Sequence, residues 1–446
     1  DSKQFGWWLA ILVVTVLGLA MAWASFWSLQ SLRALKASNL AGATLNAQRA
    51  LPVVQHLSGL TLGLVPDLVV WHEGLWLLAH LESIKVEASE SLELSPDEDR
   101  PSLAQVLDEP LLALENLNRE VPRTVLVRHL LSDEQQTQLS NLTTTARLLK
   151  EKLMNGDRTW LIVFQNSQEL RATGGFMGSL AFITLKNGSV TNIDVQDIYQ
   201  PAGQLKVAIE PPAGVKEYLS GGKNWQLTDA NWSPDFPTAA QTVTEMLEKS
   251  GYPTIHGVIA INLDMARSLL AVTGPVNVPD YQTQVTSDNL AEVLRSNRDQ
   301  FFAGSLAKQH LLASFVTQLK NQLLDLPVDQ QLAALKLIVT ETHSQNLQLW
   351  ARSPDLQALF TDYQVAGEQL PLSENPQFFL DLVESNVGIN KANQGVERSW
   401  QLDIQPTQTQ VTVKFNNANQ ASDRPQLSPQ AHGARHLHYV NYQRVY

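Results

Sequence analysis

The segment from Trp160 to Tyr199 constrains the fold of this chain more than any other. An apolar run over residues 160–164 has the character of a buried strand, and polar residues follow it directly. Two further strand-like runs flank Asn187-Gly188, which is the strongest short-range signal for a β-hairpin. The segment therefore predicts a strand, a glycine-rich bend and a hairpin, in this order.

The polar residues and glycines after this first strand are candidate site residues. Polar groups at the end of a buried strand, beside glycines that let a ligand approach the backbone, are a usual way to present a site. Arg171 would suit a phosphate, because its guanidinium can donate two hydrogen bonds at once. The alternative is a solvated loop in which Arg171 pairs with Glu169. The candidates are Asn166, Glu169, Arg171, Gly174 and Gly175.

Length, charge and cysteine content narrow the class of protein. At 446 residues the chain is too long for one ordinary core, so we expect two or three domains. The net charge is −12, with 44 acidic against 32 basic residues, which argues against a nucleic-acid partner. The absence of cysteine excludes disulfides, a thiol nucleophile and thiolate metal ligands. Motifs of zinc proteases, serine hydrolases and nucleotide-binding loops are absent. Asp194 and Asp197 could hold a divalent cation through oxygen ligands, but a chain with 44 acidic residues offers many such pairs by chance.

Residues 5–29 form an uncharged, largely apolar stretch with tryptophans towards both ends. About 20 apolar residues suffice to cross a bilayer, and aromatic residues are typical of its two interfaces. A cleavable signal peptide is the alternative, but its apolar region is normally only about 7–15 residues long. We therefore expect one uncleaved transmembrane helix. Since the chain starts without methionine, we also expect further residues upstream.

The rest of the chain divides into three predicted regions. Residues 30–156 have helical spacing and are expected to form a membrane-proximal helical region. Residues 157–345 alternate strands with helices, which indicates a layered α/β core domain in which Asp235 and Asp264 are candidate helix caps. Residues 346–446 are α+β to mostly β in pattern. We expect this last region to be a partial, truncated β domain.

Several segments resemble a bacterial membrane-anchored family catalogued as domain of unknown function 4012. The resemblance rests on WLIVFQNSQELRATGGFMGSLAFITLKNGSV, ANWSPDFPTAAQTV and HGVIAINLDMARSLLAVTGPVNV, and on the later VESNVGINKANQG and NYQRVY. It extends over roughly residues 30–446. It implies a single-pass anchor in the bacterial cytoplasmic membrane and an extracytoplasmic body. It implies no activity, because the family is uncharacterised.

The order of elements also resembles, more distantly, the catalytic domain of the LytR-CpsA-Psr phosphotransferases. Those enzymes move a glycopolymer from a polyprenyl-pyrophosphate lipid to peptidoglycan or another acceptor, using arginines and an acid-bound Mg²⁺. The likeness implies that Arg171 and Arg298 hold the pyrophosphate. It assigns Mg²⁺ to Glu169 and Asp197, which with Arg171 are the implied catalytic residues. The implied ligand-binding residues that complete the site are Asn166, Gly174 and Gly175.

Two functions are compatible with the sequence. In the first, the protein binds a polyprenyl-pyrophosphate-linked glycan and transfers it to a cell-wall acceptor, while apolar helices such as residues 51–81 shelter the lipid. In the second, it is a non-enzymatic envelope scaffold or assembly factor with a degenerate LytR-like core, in which Asn166, Glu169 and Arg171 form a buried polar network. The second is motivated by the additional C-terminal β unit and by the aspartate expected after the motif arginine, which is Thr173 here or missing.

Overall fold

The chain divides into two compact units. The first contains Asp1–Arg158 and Leu185–Thr191, and the second contains Thr159–Thr184 and Asn192–Tyr446. The computed structural model describes residues 2–37, 39–61, 63–92, 100–125, 127–129, 131–296, 307–369, 380–405, 408–419 and 440–445.

The first unit is built mainly from helices. Its helices are α1 (Ser2–Lys36), α2 (Leu40–Leu60), α3 (Pro66–Ala79), α4 (Leu81–Ser91), α5 (Leu103–Val106), α6 (Asp108–Glu120) and α7 (Asp133–Leu149). Ser102 and Ser132 begin α5 and α7 with capping boxes, which satisfy backbone N–H groups that the first turn leaves free. Small and apolar side chains of α1, α2 and α3 form the core of this unit: Ala24, Ala47, Ala50, Leu51, Val54, Leu75 and Ala79.

Helix α1 contains the stretch that the sequence predicts to cross a membrane. Within the residues that the structure describes, no helix is both long enough and apolar enough to do so. The transmembrane helix predicted over residues 5–29 is therefore not confirmed.

The second unit combines strands and helices, which confirms the predicted α/β class. The strands are β1 (Asp157–Asn166), β2 (Phe176–Lys186), β3 (Ser189–Asp197), β4 (Gly257–Asn262), β5 (Val276–Val278), β6 (Thr283–Val285), β7 (Leu347–Ala351), β8 (Leu382–Asn386), β9 (Val396–Gln405), β10 (Gln408–Asn417) and β11 (Asn441–Val445). The helices are α8 (Tyr199–Ala202), α9 (Phe236–Lys249), α10 (Leu263–Thr273), α11 (Leu290–Ser296), α12 (Ala307–Asp325), α13 (Val328–His343) and α14 (Pro354–Asp362).

A five-stranded sheet with the order β3-β2-β1-β4-β7 organises the core. β1 and β4 are parallel, and their last paired residues are Gln165 and Asn262. β4 and β7 are antiparallel. The hairpin predicted at Asn187-Gly188 is confirmed, since the two residues have φ of 50° and 82°, as a two-residue type I′ turn requires. The carboxyl ends of β1 and β4 thus meet at one edge of the sheet.

Helices cover both faces of this sheet. Successive side chains of a strand point to opposite faces. Leu161 and Val163 of β1 accordingly belong to a core cluster with α9, while Ile162 and Phe164 pack with α10, α11 and α12. The result is a layered α/β/α arrangement, as the alternation of strands and helices predicted.

The predicted helix caps have different outcomes. Asp235 caps α9 as predicted, because its Oδ2 accepts the N–H of Thr238 at 3.0 Å. The cap predicted at Asp264 is wrong: Oδ1 of Asn262 accepts the N–H groups of Asp264 and Met265, each at 3.0 Å. Asn262 ends β4 with an extended backbone, which is the conformation of an N-cap, whereas Asp264 already lies inside the first turn.

Short antiparallel pairs lie outside the main sheet: β5 with β6, β8 with β11, and β9 with β10. The last two pairs confirm the strands predicted towards the C-terminus. The strand patterns did not identify β7, which belongs to the main sheet although it lies in the predicted 346–446 region.

Candidate functional site

The loop that follows β1 is tightly folded. Asn166 accepts two backbone N–H groups, from Glu169 on its carbonyl oxygen at 3.0 Å and from Gln168 on Oδ1 at 3.1 Å. Gly175 lies against the same residue, so that a Cβ there would stand 2.5 Å from the carbonyl carbon and oxygen of Asn166. Gly174 has a φ of 111°, which L side chains rarely adopt. Both glycines of the predicted bend are therefore required by the local backbone.

Arg171 is buried at the centre of a polar network, with only 2 % of its surface exposed. Its Nη1 donates to the carbonyl oxygen of Asn386 at 2.7 Å. Its Nη2 donates to Oε1 of Glu169 at 3.4 Å and to Oδ1 of Asp229 at 3.3 Å. One guanidinium thus neutralises two largely buried carboxylates and ties the β1 loop to two distant segments.

The end of β8 and the segment that follows it bind backbone carbonyl groups of the same loop. Asn386 donates its N–H to the carbonyl oxygen of Leu170 at 2.9 Å, and Asn393 donates its N–H to that of Gln168 at 3.2 Å. The side-chain amide of Asn393 donates to the carbonyl oxygen of Ser167 at 2.7 Å. Sequence reasoning missed this role, although the asparagine-rich run VESNVGINKANQG was a visible signal for side-chain to backbone hydrogen bonds.

A second, uncharged network lies at the carboxyl end of β1 and centres on Thr173. The hydroxyl of Thr173 accepts hydrogen bonds from the side-chain amides of Gln165 and Asn231, each at 2.9 Å. Asn231 also donates to the carbonyl oxygen of Gly175 at 2.9 Å. Thr173 is 1 % exposed, so the position near which the resemblance calls for an aspartate holds a buried neutral residue.

An apolar cavity of about 200 Å³ lies between the sheet and the helices α10, α11 and α12. Its apolar wall residues are Ile162, Phe164, Phe176, Ile261, Leu263, Ala266, Leu269, Leu290, Ala291, Leu294, Leu312, Phe315, Val316 and Leu319, and Gly178 also lines it. Polar residues line its end near the carboxyl ends of β1 and β4, and we call this the polar end of the apolar cavity. They are Gln165, Asn166, Gln168, Glu169, Ser179, Tyr199, Asn262 and Lys391.

A larger polar cavity of about 610 Å³ adjoins the same two strand ends. Its lining includes four carboxylates, two arginines and several amides and hydroxyls. They are Asp264, Glu368, Asp381 and Glu384, then Arg171 and Arg398, then Ser167, Asn262, Ser344, Gln345, Asn346, Gln369 and Asn393. Ligand sites of open α/β sheets are found outside the carboxyl ends of parallel strands. The polar cavity lies there, whereas the apolar cavity lies along one face of the sheet and reaches these strand ends with its polar residues.

The structure brings most of the predicted site residues to these strand ends. Arg171 and Gly174 line the polar cavity, whereas Asn166 and Glu169 line the apolar one. Gly175 packs against the backbone of Asn166 and lines neither cavity. Asp197 also lines neither; it ends β3, and Arg298 lies outside the described residues.

The residues assigned to Mg²⁺ do not fit a magnesium site. Glu169 accepts a hydrogen bond from Arg171, and Oδ1 of Asp197 accepts the N–H of Tyr199 at 3.1 Å. In the described parts of the chain, no three histidine, aspartate or glutamate side chains converge as metal ligands would.

The sheet and the helices on both of its faces define a layered α/β protein. The two cavities make the carboxyl ends of β1 and β4 its candidate binding site. Residues 155–298 match the family described as "Protein of unknown function (DUF4012)". The match confirms the predicted resemblance for the segment from β1 to the end of α11, a narrower range than expected. No curated protein is significantly similar to the chain.

Several solved structures of other proteins are similar to about half of this chain, at low sequence identity. Protein gbs0355 from Streptococcus agalactiae is 13% identical with a TM-score of 0.32, over 49% of this chain and 76% of that one. The transcriptional regulator yvhJ from Bacillus subtilis is 12% identical with a TM-score of 0.27, over 47% and 77%. B. subtilis TagV is 12% identical with a TM-score of 0.26, over 48% and 82%.

Proposed function

We propose that the second unit binds a polyprenyl-phosphate-linked glycan, with the start of its hydrocarbon chain in the apolar cavity. The single observation that carries this proposal is the cavity itself: its walls are aliphatic and aromatic, and its polar groups lie at one end. Such a cavity suits an amphiphile, because burial of apolar surface contributes roughly 25 cal/mol per Å² while a charged head would be expensive to bury.

The phosphate of this ligand belongs at the polar end of the apolar cavity. Lys391 lines that end, together with the amides of Asn166 and Gln168. An ammonium and amide donors suit phosphate oxygens. The carboxylate of Glu169 lies there too, and its bond to Arg171 reduces the repulsion that it would exert on a phosphate. Helices near residues 51–81, which the sequence suggested as a lipid shelter, are not part of this cavity.

A protein that binds the carrier without transferring the glycan is the second candidate function. The burial of Arg171 favours it, because both terminal nitrogens of this guanidinium already donate to protein oxygens. Glycan transfer, the pyrophosphate role of Arg171 and Arg298, and a need for Mg²⁺ all stay predictions. We expect a transfer assay with lipid-linked glycan and a peptidoglycan acceptor, run with Mg²⁺ or with EDTA, to separate the two candidates.

We also propose that the chain acts at the bacterial cytoplasmic membrane, anchored by residues 5–29 with the body outside the cytoplasm. The uncharged, apolar sequence of that stretch supports this. Fusion of alkaline phosphatase to the C-terminus checks it, because the enzyme folds with its disulfides only outside the cytoplasm. An inactive fusion, or full-length protein in the soluble fraction, would contradict the proposal.

Binding of decaprenyl phosphate to the full chain in detergent tests the main proposal. Ala266→Phe places a ring in the apolar cavity and should weaken binding at least about tenfold, which corresponds to roughly 1.4 kcal/mol. Ala271→Phe is the matched control, since Ala271 is exposed on the same helix. Undetectable binding to the wild-type protein, or equal affinity of the two variants, would overturn the proposed function.

A further inference from the structure

We propose that the polar cavity is a saccharide subsite that takes a short glycan without anionic groups. This inference rests on the proposed function, because the two cavities then hold two parts of one molecule. It goes further in naming the chemistry of the glycan and the residues that select it.

The first argument is that the two cavities share their walls. Neighbouring residues of each loop line opposite cavities: after β1, Glu169 lines the apolar one and Leu170 the polar one. After β4, Leu263 lines the apolar cavity and Asp264 the polar one. Asn262 lines both. A ligand whose phosphate lies at the polar end of the apolar cavity therefore has its next group beside the polar cavity.

Asn262 is fixed between the two cavities and can serve as a rigid divider. It is 6 % exposed. Its Oδ1 caps α10, and its Nδ2 donates to Oδ1 of Asn346 at 2.7 Å. Asn346 in turn donates to Oε2 of Glu341 at 2.6 Å. Because hydrogen bonds fix both polar atoms of the Asn262 side chain, this side chain keeps one conformation, as precise positioning of a ligand requires.

The second argument is chemical. About 610 Å³ is within the range of roughly 300–1,000 Å³ that is typical of small-molecule sites. A saccharide hydroxyl both donates and accepts a hydrogen bond. The cavity offers acceptors in its carboxylates, donors in its arginines, and both in its amides. Arg171 also lines this cavity, and its buried Nε has no hydrogen-bond partner among the residues that the structure describes.

The third argument is charge, and it excludes an anionic ligand. Arg398 balances Glu384 at 2.8 Å, whereas Arg171 is already shared between two carboxylates. Glu368 accepts from the hydroxyl of Thr361 at 2.6 Å, and Asp381 from the amide of Gln369 at 3.4 Å. These last two carboxylates have neutral partners, so the cavity has an excess of negative charge. Uronic acids and phosphates are repelled there, while neutral sugars are accepted.

Soluble trisaccharides test this subsite without a lipid. Binding of maltotriose, tri-N-acetylchitotriose and trigalacturonic acid to the full chain can be measured by saturation-transfer difference NMR. We expect at least one of the two neutral sugars to bind and the acidic one not to bind. Asp381→Ala should weaken that binding at least about tenfold. Asp362→Ala, on the exposed end of α14, should leave it unchanged.

Each result bears on the subsite separately from the proposed function. No binding of either neutral sugar, preferred binding of trigalacturonic acid, or full binding by Asp381→Ala would overturn the inference. Decaprenyl phosphate supplies the second readout, because Asp381→Ala should bind it as the wild-type protein does. If decaprenyl phosphate fails to bind while a neutral sugar binds at Asp381, the proposed lipid function fails and the saccharide site stands.

Discussion

Replacing Arg171 with methionine should destabilise the second unit by about 3–5 kcal/mol, because it leaves buried carboxylates without their cation. The side chains of Glu169 and Asp229 are only 11% and 14% exposed, so water compensates little for the lost charge. The carbonyl oxygen of Asn386 also loses a donor at 2.7 Å. Methionine keeps much of the volume of arginine, so the loss reports on charge and hydrogen bonding rather than on a cavity.

Hydrogen exchange measured by mass spectrometry suits this prediction, because peptides from β1 and β2 report the opening free energy of the second unit alone. Arg267→Met is the matched control: Arg267 pairs with Asp264 at 3.0 Å, but the two side chains are 38% and 47% exposed. An exposed pair of this kind contributes about 0–1 kcal/mol. A cost for Arg171→Met no larger than that of the control would refute the argument that Arg171 is a buried structural cation.

The variant that combines Arg171→Met with Glu169→Gln and Asp229→Asn removes all three charges together. It should regain much of the lost stability, because neutral side chains of similar size do not suffer the cost of buried, unpaired charge. It also separates stability from binding. If this folded variant binds decaprenyl pyrophosphate as the wild-type protein does, Arg171 is structural; if binding is lost, Arg171 holds the pyrophosphate as the sequence resemblance implies.

Three smaller predictions concern single side chains. Gly175→Ala should cost roughly 1–3 kcal/mol in thermal unfolding, because its Cβ would overlap the backbone of Asn166; a neutral result would contradict the close approach. Asp235→Ala should cost about 1 kcal/mol in urea unfolding through loss of the α9 cap, and Asp235→Asn much less. Burial, and then the charge of Asp194, raise the pKa of Tyr252. The stability that protonated Tyr252 contributes is present below the pKa of about 10 in the unfolded state, and it is lost as pH rises through the raised pKa of the folded state. Tyr252→Phe should therefore flatten the decline in the free energy of unfolding at alkaline pH.

Elements set by local interactions could be predicted from the sequence. The Asn187-Gly188 turn needs two residues that tolerate positive φ, and the α9 cap needs one oxygen three residues before a free N–H. The cap at α10 was misassigned because two oxygen-bearing residues, Asn262 and Asp264, lie within reach of the same turn. Which of the two is the N-cap residue depends only on where β4 ends, and the ends of strands are the least certain part of a sequence prediction.

The sequence predicted which residue types form the site, but not which distant residues they contact. The polar loop after β1 was identified, yet the oxygen that Arg171 contacts at 2.7 Å belongs to Asn386, 215 residues further along the chain. Nothing in the local pattern specifies such a contact, since it depends on how β8 reaches the loop. The apolar cavity was missed for a related reason. Its walls come from strands and helices whose periodicity looks the same whether they enclose space or fill it.

The distribution of charge at the strand ends separates structural from binding roles. Where the resemblance implies a charged phosphate and metal site, the protein places a buried threonine and an arginine whose charge is shared by Glu169 and Asp229. A phosphate that approached Arg171 would compete with two carboxylates for one cation. Within the described part of the chain, the cation that lines the polar end of the apolar cavity is Lys391, on the segment that contacts the β1 loop. Phosphate recognition should therefore depend more on Lys391 than on Arg171, and Lys391→Gln should weaken decaprenyl phosphate binding while Lys414→Gln, on the exposed hairpin strand β10, should not.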